Sequence, residues 1–84
     1  MQKLKPFSVQ GTAVGSDQSI QLDEISILVE PDTLRALGAF LIDAANEMAL
    51  NGREHVHLQD VIEGFSHEQH VDFIALDRTL ILPA

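Results

Sequence analysis

The residues best suited to chemistry sit in one short stretch, NGREHVHLQD at positions 51–60. His55 and His57 are one residue apart, and Asp60 follows three residues later. His67 and His70 come next. On a strand, residues i and i+2 point to the same face, so His55 and His57 project side by side. Two imidazoles placed that way can converge on one metal ion, with Asp60 or the two later histidines completing the set. A plainer use competes with this. Val56 and Leu58 need the core side of the strand, which sends the histidines to the other face and toward solvent. A third use is recognition. A histidine-bearing face hydrogen-bonds a partner and responds to pH near neutrality. On balance no metal ligands are assigned.

Catalytic chemistry finds little support. Ser66 precedes His67, but adjacency in sequence does not make a nucleophile and its base. The glycines at 11, 15, 38, 52 and 64 match no phosphate-binding or dinucleotide-binding pattern. Paired acids such as Asp23-Glu24 are commonplace in a chain with 13 acidic residues. A domain of this size rarely encloses a deep pocket. The expectation is a protein that is not an enzyme, with no catalytic residues and no cofactor.

The elements that must position these side chains can be read from pattern. PFSVQGTAV alternates weakly, with Phe7, Val9 and Gly11 on one side and Ser8, Gln10 and Thr12 on the other. GSDQ supplies turn residues. In SIQLDEISILVE, Ile20 and Leu22 share a face, and Ile25, Ile27 and Val29 share a face, but the phase slips at Asp23-Glu24. A slip of one residue turns the second set to the wrong side unless the strand bulges or bends there. Together these segments predict a hairpin with an irregularity at Asp23-Glu24.

The clearest element is a helix from Pro31 to Asn51. Pro31 suits the first helical position, where its missing N–H costs nothing. Glu30 and Asp32 place negative charge at the positive end of the helix dipole. Asn51-Gly52 is a left-handed stop. Leu34, Leu37, Leu41, Ala44, Ala45 and Met48 recur at helical spacing and predict the core stripe. Phe40 and Ile42 lie on its two flanks. The apolar arc is wider than one sheet contact needs, which implies deep burial, a dimer contact or a partner groove. After the helix, HVHLQD and VDFIAL predict two short strands around a polar loop, EGFSHEQH. The last segment, RTLILPA, extends the second of these strands, folds back or packs as a tail. The whole predicts one small α+β domain over residues 1–84: a long helix packed on a small, mainly antiparallel sheet, in ββαββ order.

Composition bounds the function. The chain has 84 residues, 45% of them hydrophobic, and no cysteine. It therefore has no disulfides, thiolate zinc sites or thiol nucleophile. Its core must be thin, and association with another chain would help it. Five basic residues face 13 acidic ones, for a formal net charge of −8. Such a chain repels nucleic acid and anionic membrane and attracts a basic protein. The opening residues contain no apolar run of the targeting kind, and the most apolar stretch is broken by Asp43, Asn46 and Glu47. A soluble, cytoplasmic protein is expected.

One family resemblance adds to this. The runs LRALGAFLIDAANEM at 34–48, HVHLQD at 55–60 and VDFIAL at 71–76 resemble, in order and spacing, the thirty-second immunity-protein family of bacterial polymorphic toxin systems. Members of that family look like a strand pair, a helix with an LxxLAxFLxxAA-like face, an HxHL/F-x-D strand and a closing apolar strand. The chain departs from the family in EGFSHEQH and its extra histidines. The resemblance implies a cytoplasmic antitoxin role, in which the domain binds a cognate toxin and blocks it. It assigns no role to His55, His57 or Asp60. The expected contact surface joins the histidine face of His55 and His57 to the acidic side chains of Glu54, Asp60, Glu63 and Glu68, with Phe65 adding specificity. The expected partner is a cognate toxin or another basic protein. A homodimer built on the wide helix arc is the other association the sequence suggests.

Overall fold

The computed structural model describes residues 3–81. Four short strands and one long helix follow in the expected order. β1 (Val9–Thr12) and β2 (Ser19–Leu22) precede α1 (Pro31–Asn51), and β3 (His55–His57) and β4 (Ile74–Leu76) follow it. A single 3-10 turn, Leu58–Asp60, continues from β3, and a one-turn helix, α2 (Arg78–Ile81), follows β4. The class is α+β.

The strands form two separate antiparallel pairs, β1 with β2 and β3 with β4, rather than one sheet. In the first pair Val9 opposes Leu22 and Gly11 opposes Ile20. All four share a face, and a side chain at Gly11 would press to within 3.2 Å of Leu22 Cδ1. The opposite face is polar, with Ser19 Oγ donating to Gln10 Oε1 at 3.0 Å. β2 ends at Leu22 and the chain bends at Asp23, where the apolar phase slips. Ile25 to Val29, expected to continue the strand beyond an irregularity, form no strand.

α1 has the predicted bounds. Pro31 opens it, and Gly52 closes it in the left-handed conformation at φ 66°, its N–H donating to the Glu47 carbonyl. The helix packs on β3, and the core is small: Phe40 and Ala44 from the helix, Val56 and Leu58 from the β3 segment. Leu37, Ile62, Phe73 and Ala75 pack around these four.

This corrects the expected core stripe. Phe40, placed on a flank, is central, whereas Leu34 is 50% exposed, Leu41 53% and Ile42 65%. Ala45 is exposed as well, while Leu37 and Met48 are half-buried and Ala44 is buried. The reason is geometric. Two three-residue strands cover one narrow ridge of a helix, and the ridge through Leu37, Phe40 and Ala44 is the one that meets Val56 and Leu58. Among the described residues, nothing covers the other half of the apolar arc.

RTLILPA begins as helix. Asp77 ends β4's extension by donating its N–H to the Glu54 carbonyl at 2.8 Å. Its Oδ1 also accepts the Thr79 N–H at 2.9 Å and the Thr79 hydroxyl at 2.7 Å. The Thr79 bonds hold the Asp77 carboxyl below its ordinary value of 3.8. The cap is therefore complete above that value and is lost as pH falls through the lowered one. Residues 82–84 lie outside the described residues.

With so small a core, its largest member dominates. Phe40→Ala is expected to cost about 3–5 kcal/mol of unfolding free energy in denaturant melts. A loss under about half a kilocalorie, the size typical of surface changes, would place the core elsewhere.

Candidate functional site

Val56 and Leu58 are buried, so the two-residue strand period turns His55 and His57 to the outer face. The register shows what accompanies them there. His55 pairs with Leu76 and His57 with Ile74. Cross-strand partners share a face, so the outer surface of this pair carries two imidazoles and two half-exposed aliphatic side chains. The histidine rings meet edge to face, with centroids 5.3 Å apart.

One acid organises this surface. Asp72 Oδ2 lies 2.9 Å from His57 Nδ1, and its Oδ1 accepts the Gln59 N–H at 2.9 Å. Both side chains are largely shielded, His57 at 26% exposure and Asp72 at 16%. The carboxylate is an acceptor, so the bond is one in which His57 Nδ1 donates to Asp72 Oδ2. Beside it the Leu58 N–H donates to the Phe73 carbonyl at 2.8 Å. The segment entering β4 is thus sewn to the segment leaving β3 by backbone and side chain together.

The other expected residues lie in the connection that follows. Asp60 is exposed at the end of the 3-10 turn, and Glu63 and Glu68 are exposed in the loop. Phe65 is half-buried. It meets the His67 ring edge to face at 4.8 Å and stacks on His70 at 5.5 Å. The loop closes on itself. The Ser66 N–H donates to His70 Nδ1 at 3.1 Å, the His70 N–H donates to the Ser66 carbonyl at 2.7 Å, and Ser66 Oγ accepts the Glu68 N–H at 3.3 Å. Ser66 is therefore held as a turn residue.

The four histidines thus fall into two pairs with different work. His55 and His57 form an outward face on a strand. His67 and His70 clamp Phe65 within a loop, and His70 Nδ1 is engaged by a backbone N–H. Among the described residues, no group of three or more His, Cys, Asp or Glu side chains is arranged to hold a metal ion. Two open hollows flank this region and the first hairpin. One is lined by Asp43, Glu47 and Val56, the other by Phe7, Leu22 and Ile25.

Asp72, Ile74 and Leu76 were not among the site residues expected from the sequence. The alternation in DFIAL carried the signal. Once Phe73 and Ala75 face the helix, Ile74 and Leu76 must join the histidines. Asp72 could not be placed that way, because its role depends on how the intervening loop returns.

No helix among the described residues is long and apolar enough to cross a membrane. Comparison with protein-family models, curated proteins and solved structures returned no match for this chain.

Replacing Asp72 with Ala removes two hydrogen bonds from a shielded site and should cost about 1–3 kcal/mol. Glu68→Ala, at an exposed position, should stay within about 0.5 kcal/mol. Equal effects in denaturant melts would contradict the organising role of Asp72. Zinc at one equivalent is expected to produce no saturable, chelator-reversible rise in Tm. Such a rise, abolished by changing His55 and His57 together to Ala, would establish a metal site.

Proposed function

We propose that this protein is a non-enzymatic binding domain of the immunity type, which blocks a cognate toxin by direct protein–protein contact. The observation that carries the reading is the outer face of β3 and β4. It presents His55, His57, Ile74 and Leu76 together, next to a loop bearing Asp60, Glu63 and Glu68. Aliphatic and imidazole groups side by side, rimmed by charge, have the make-up of a protein contact: an apolar centre with a polar edge. His57 is pre-oriented by Asp72, so less conformational freedom is lost when a partner engages it.

The net charge of −8 supports a basic partner. Carboxylates on an exposed loop accelerate encounter with a basic surface, and salt screens the attraction beyond about 8 Å at physiological ionic strength. The resemblance of residues 34–48, 55–60 and 71–76 to an immunity family supports a toxin domain as such a partner, with inhibition as the outcome. The site then divides its labour. Asp60, Glu63 and Glu68 steer, while His55, His57, Phe65 and the two aliphatic residues provide fit.

The test is an association-rate series against salt, using the protein encoded in the neighbouring reading frame. Changing Glu63 and Glu68 together to Lys should slow association about tenfold or more at low salt and flatten the salt dependence, with the helix signal unchanged. A rate indifferent to both salt and these two charges, or no binding at all, would sink the reading.

A further inference from the structure

The exposed half of α1 lies away from the histidine face and raises a separate question. Leu34, Gly38, Leu41, Ile42, Ala45 and Ala49 fall on one continuous arc of the helix, spanning about 100° of its surface. No charged residue interrupts that arc. Leu34, Leu41 and Ile42 are all at least half exposed. Nearby in the chain, Ile25 and Ile27 are exposed as well. The β1–β2 hairpin pairs within itself and has few contacts with any other element. An isolated two-stranded hairpin is at best marginal in water.

The chain as a whole exposes a large area. A folded monomer of this mass should expose about 4,900 Å². This chain exposes 7737 Å². The excess, about 2,800 Å² over the whole chain, is somewhat above the roughly 1,000–2,500 Å² that an obligate homodimer removes from each protomer, and the arc is one of its contributors. The radius of gyration agrees: 13.8 Å, against about 12 Å for a folded chain of this length.

We propose that a second copy of this chain covers the exposed arc, the α1 helices of two protomers packing against each other about a two-fold axis near Leu41. Three features favour a second copy over the basic partner. The arc lacks carboxylates, so it offers a basic protein nothing to pair with. It is self-complementary in kind, apolar against apolar, as a two-fold interface requires. And the missing burial is a shortage within the chain's own fold, which an occasional partner leaves unmet. The small residues Gly38, Ala45 and Ala49 let two helix backbones approach closely between the larger Leu34, Leu41 and Ile42. With this face closed by dimerisation, the histidine face of each protomer remains open, so a dimer presents two partner sites.

The chain has no cysteine, which makes engineered thiols unambiguous reporters. The experiment combines sedimentation equilibrium of the full chain with oxidative cross-linking. The unmodified protein should sediment at twice the chain mass at micromolar concentration. Leu41→Cys should cross-link to a covalent dimer on mild oxidation, whereas Ala36→Cys, on the far side of the helix, should not. Leu34→Glu combined with Leu41→Glu should dissociate the dimer. If so thin a protomer cannot stand alone, these charges unfold it, so Gly38→Gln provides the second variant. A side-chain carbon at position 38 meets nothing within 4 Å in the protomer, and Gln is the better helix former. Gly38→Gln should therefore keep the helix signal while weakening self-association at least tenfold. A monomeric wild-type chain would overturn the proposal. So would a dimer indifferent to Gly38→Gln in which Ala36→Cys cross-links as readily as Leu41→Cys. A monomer in which the same changes abolish binding of the basic partner would overturn it too and assign the arc to that partner. Changing Glu63 and Glu68 to Lys should leave the dimer intact, which separates this result from that of the proposed function.

Discussion

Phe40 and Ala44 resting on Val56 and Leu58 is the contact on which the rest of the molecule depends. The chain buries only these four side chains among its described residues. Hydrophobic burial must offset the ordering entropy of the whole chain, so a core this small leaves little margin. The same contact also sets direction. Val56 and Leu58 must face the helix, and the strand period then leaves His55 and His57 no choice but the outer face. Register with β4 adds Ile74 and Leu76 to them. The histidine surface is thus a consequence of core packing, and Asp72 refines it by fixing the ring of His57.

Much of this was legible in the sequence, and what was not has identifiable causes. The helix bounds followed from local signals: Pro31 at the start and Asn51-Gly52 at the end act through backbone geometry, which a short window of residues contains. The burial of Val56 and Leu58 followed from alternation. The phase slip at Asp23-Glu24 marked where β2 stops. The helix face was misread because periodicity reports how wide an apolar arc is, not which part meets a neighbour. Leu34, Leu41 and Ala45 fit the pattern as well as Leu37, Phe40 and Ala44 do. Only the narrowness of the β3–β4 pair chooses between them. The division into two strand pairs, the contact of Asp72 with His57 and the clamp of His67 and His70 on Phe65 all depend on chain return over a loop. No local pattern encodes that.

The acidic residues and the apolar arc divide the surface by physical role. The carboxylates of the loop act over a distance, on encounter rate and partner sign. On α1 the Arg35–Asp32 bridge at 2.7 Å is exposed on both sides, and such pairs contribute little to stability. The arc on α1 acts only at contact, through burial. The two regions do not overlap, because no charged residue falls on the strip along α1.

The central claim, that the helix docks through Phe40 onto the β3 segment, is tested most directly by a double-mutant cycle. Phe40→Ala and Val56→Ala are made singly and together, and unfolding free energies are measured at one fixed protein concentration. Residues in contact couple, and the account predicts an interaction energy of about 0.5–3 kcal/mol. Strict additivity, within about 0.3 kcal/mol, would mean that the two side chains do not share a core and that the histidine face is set by something else.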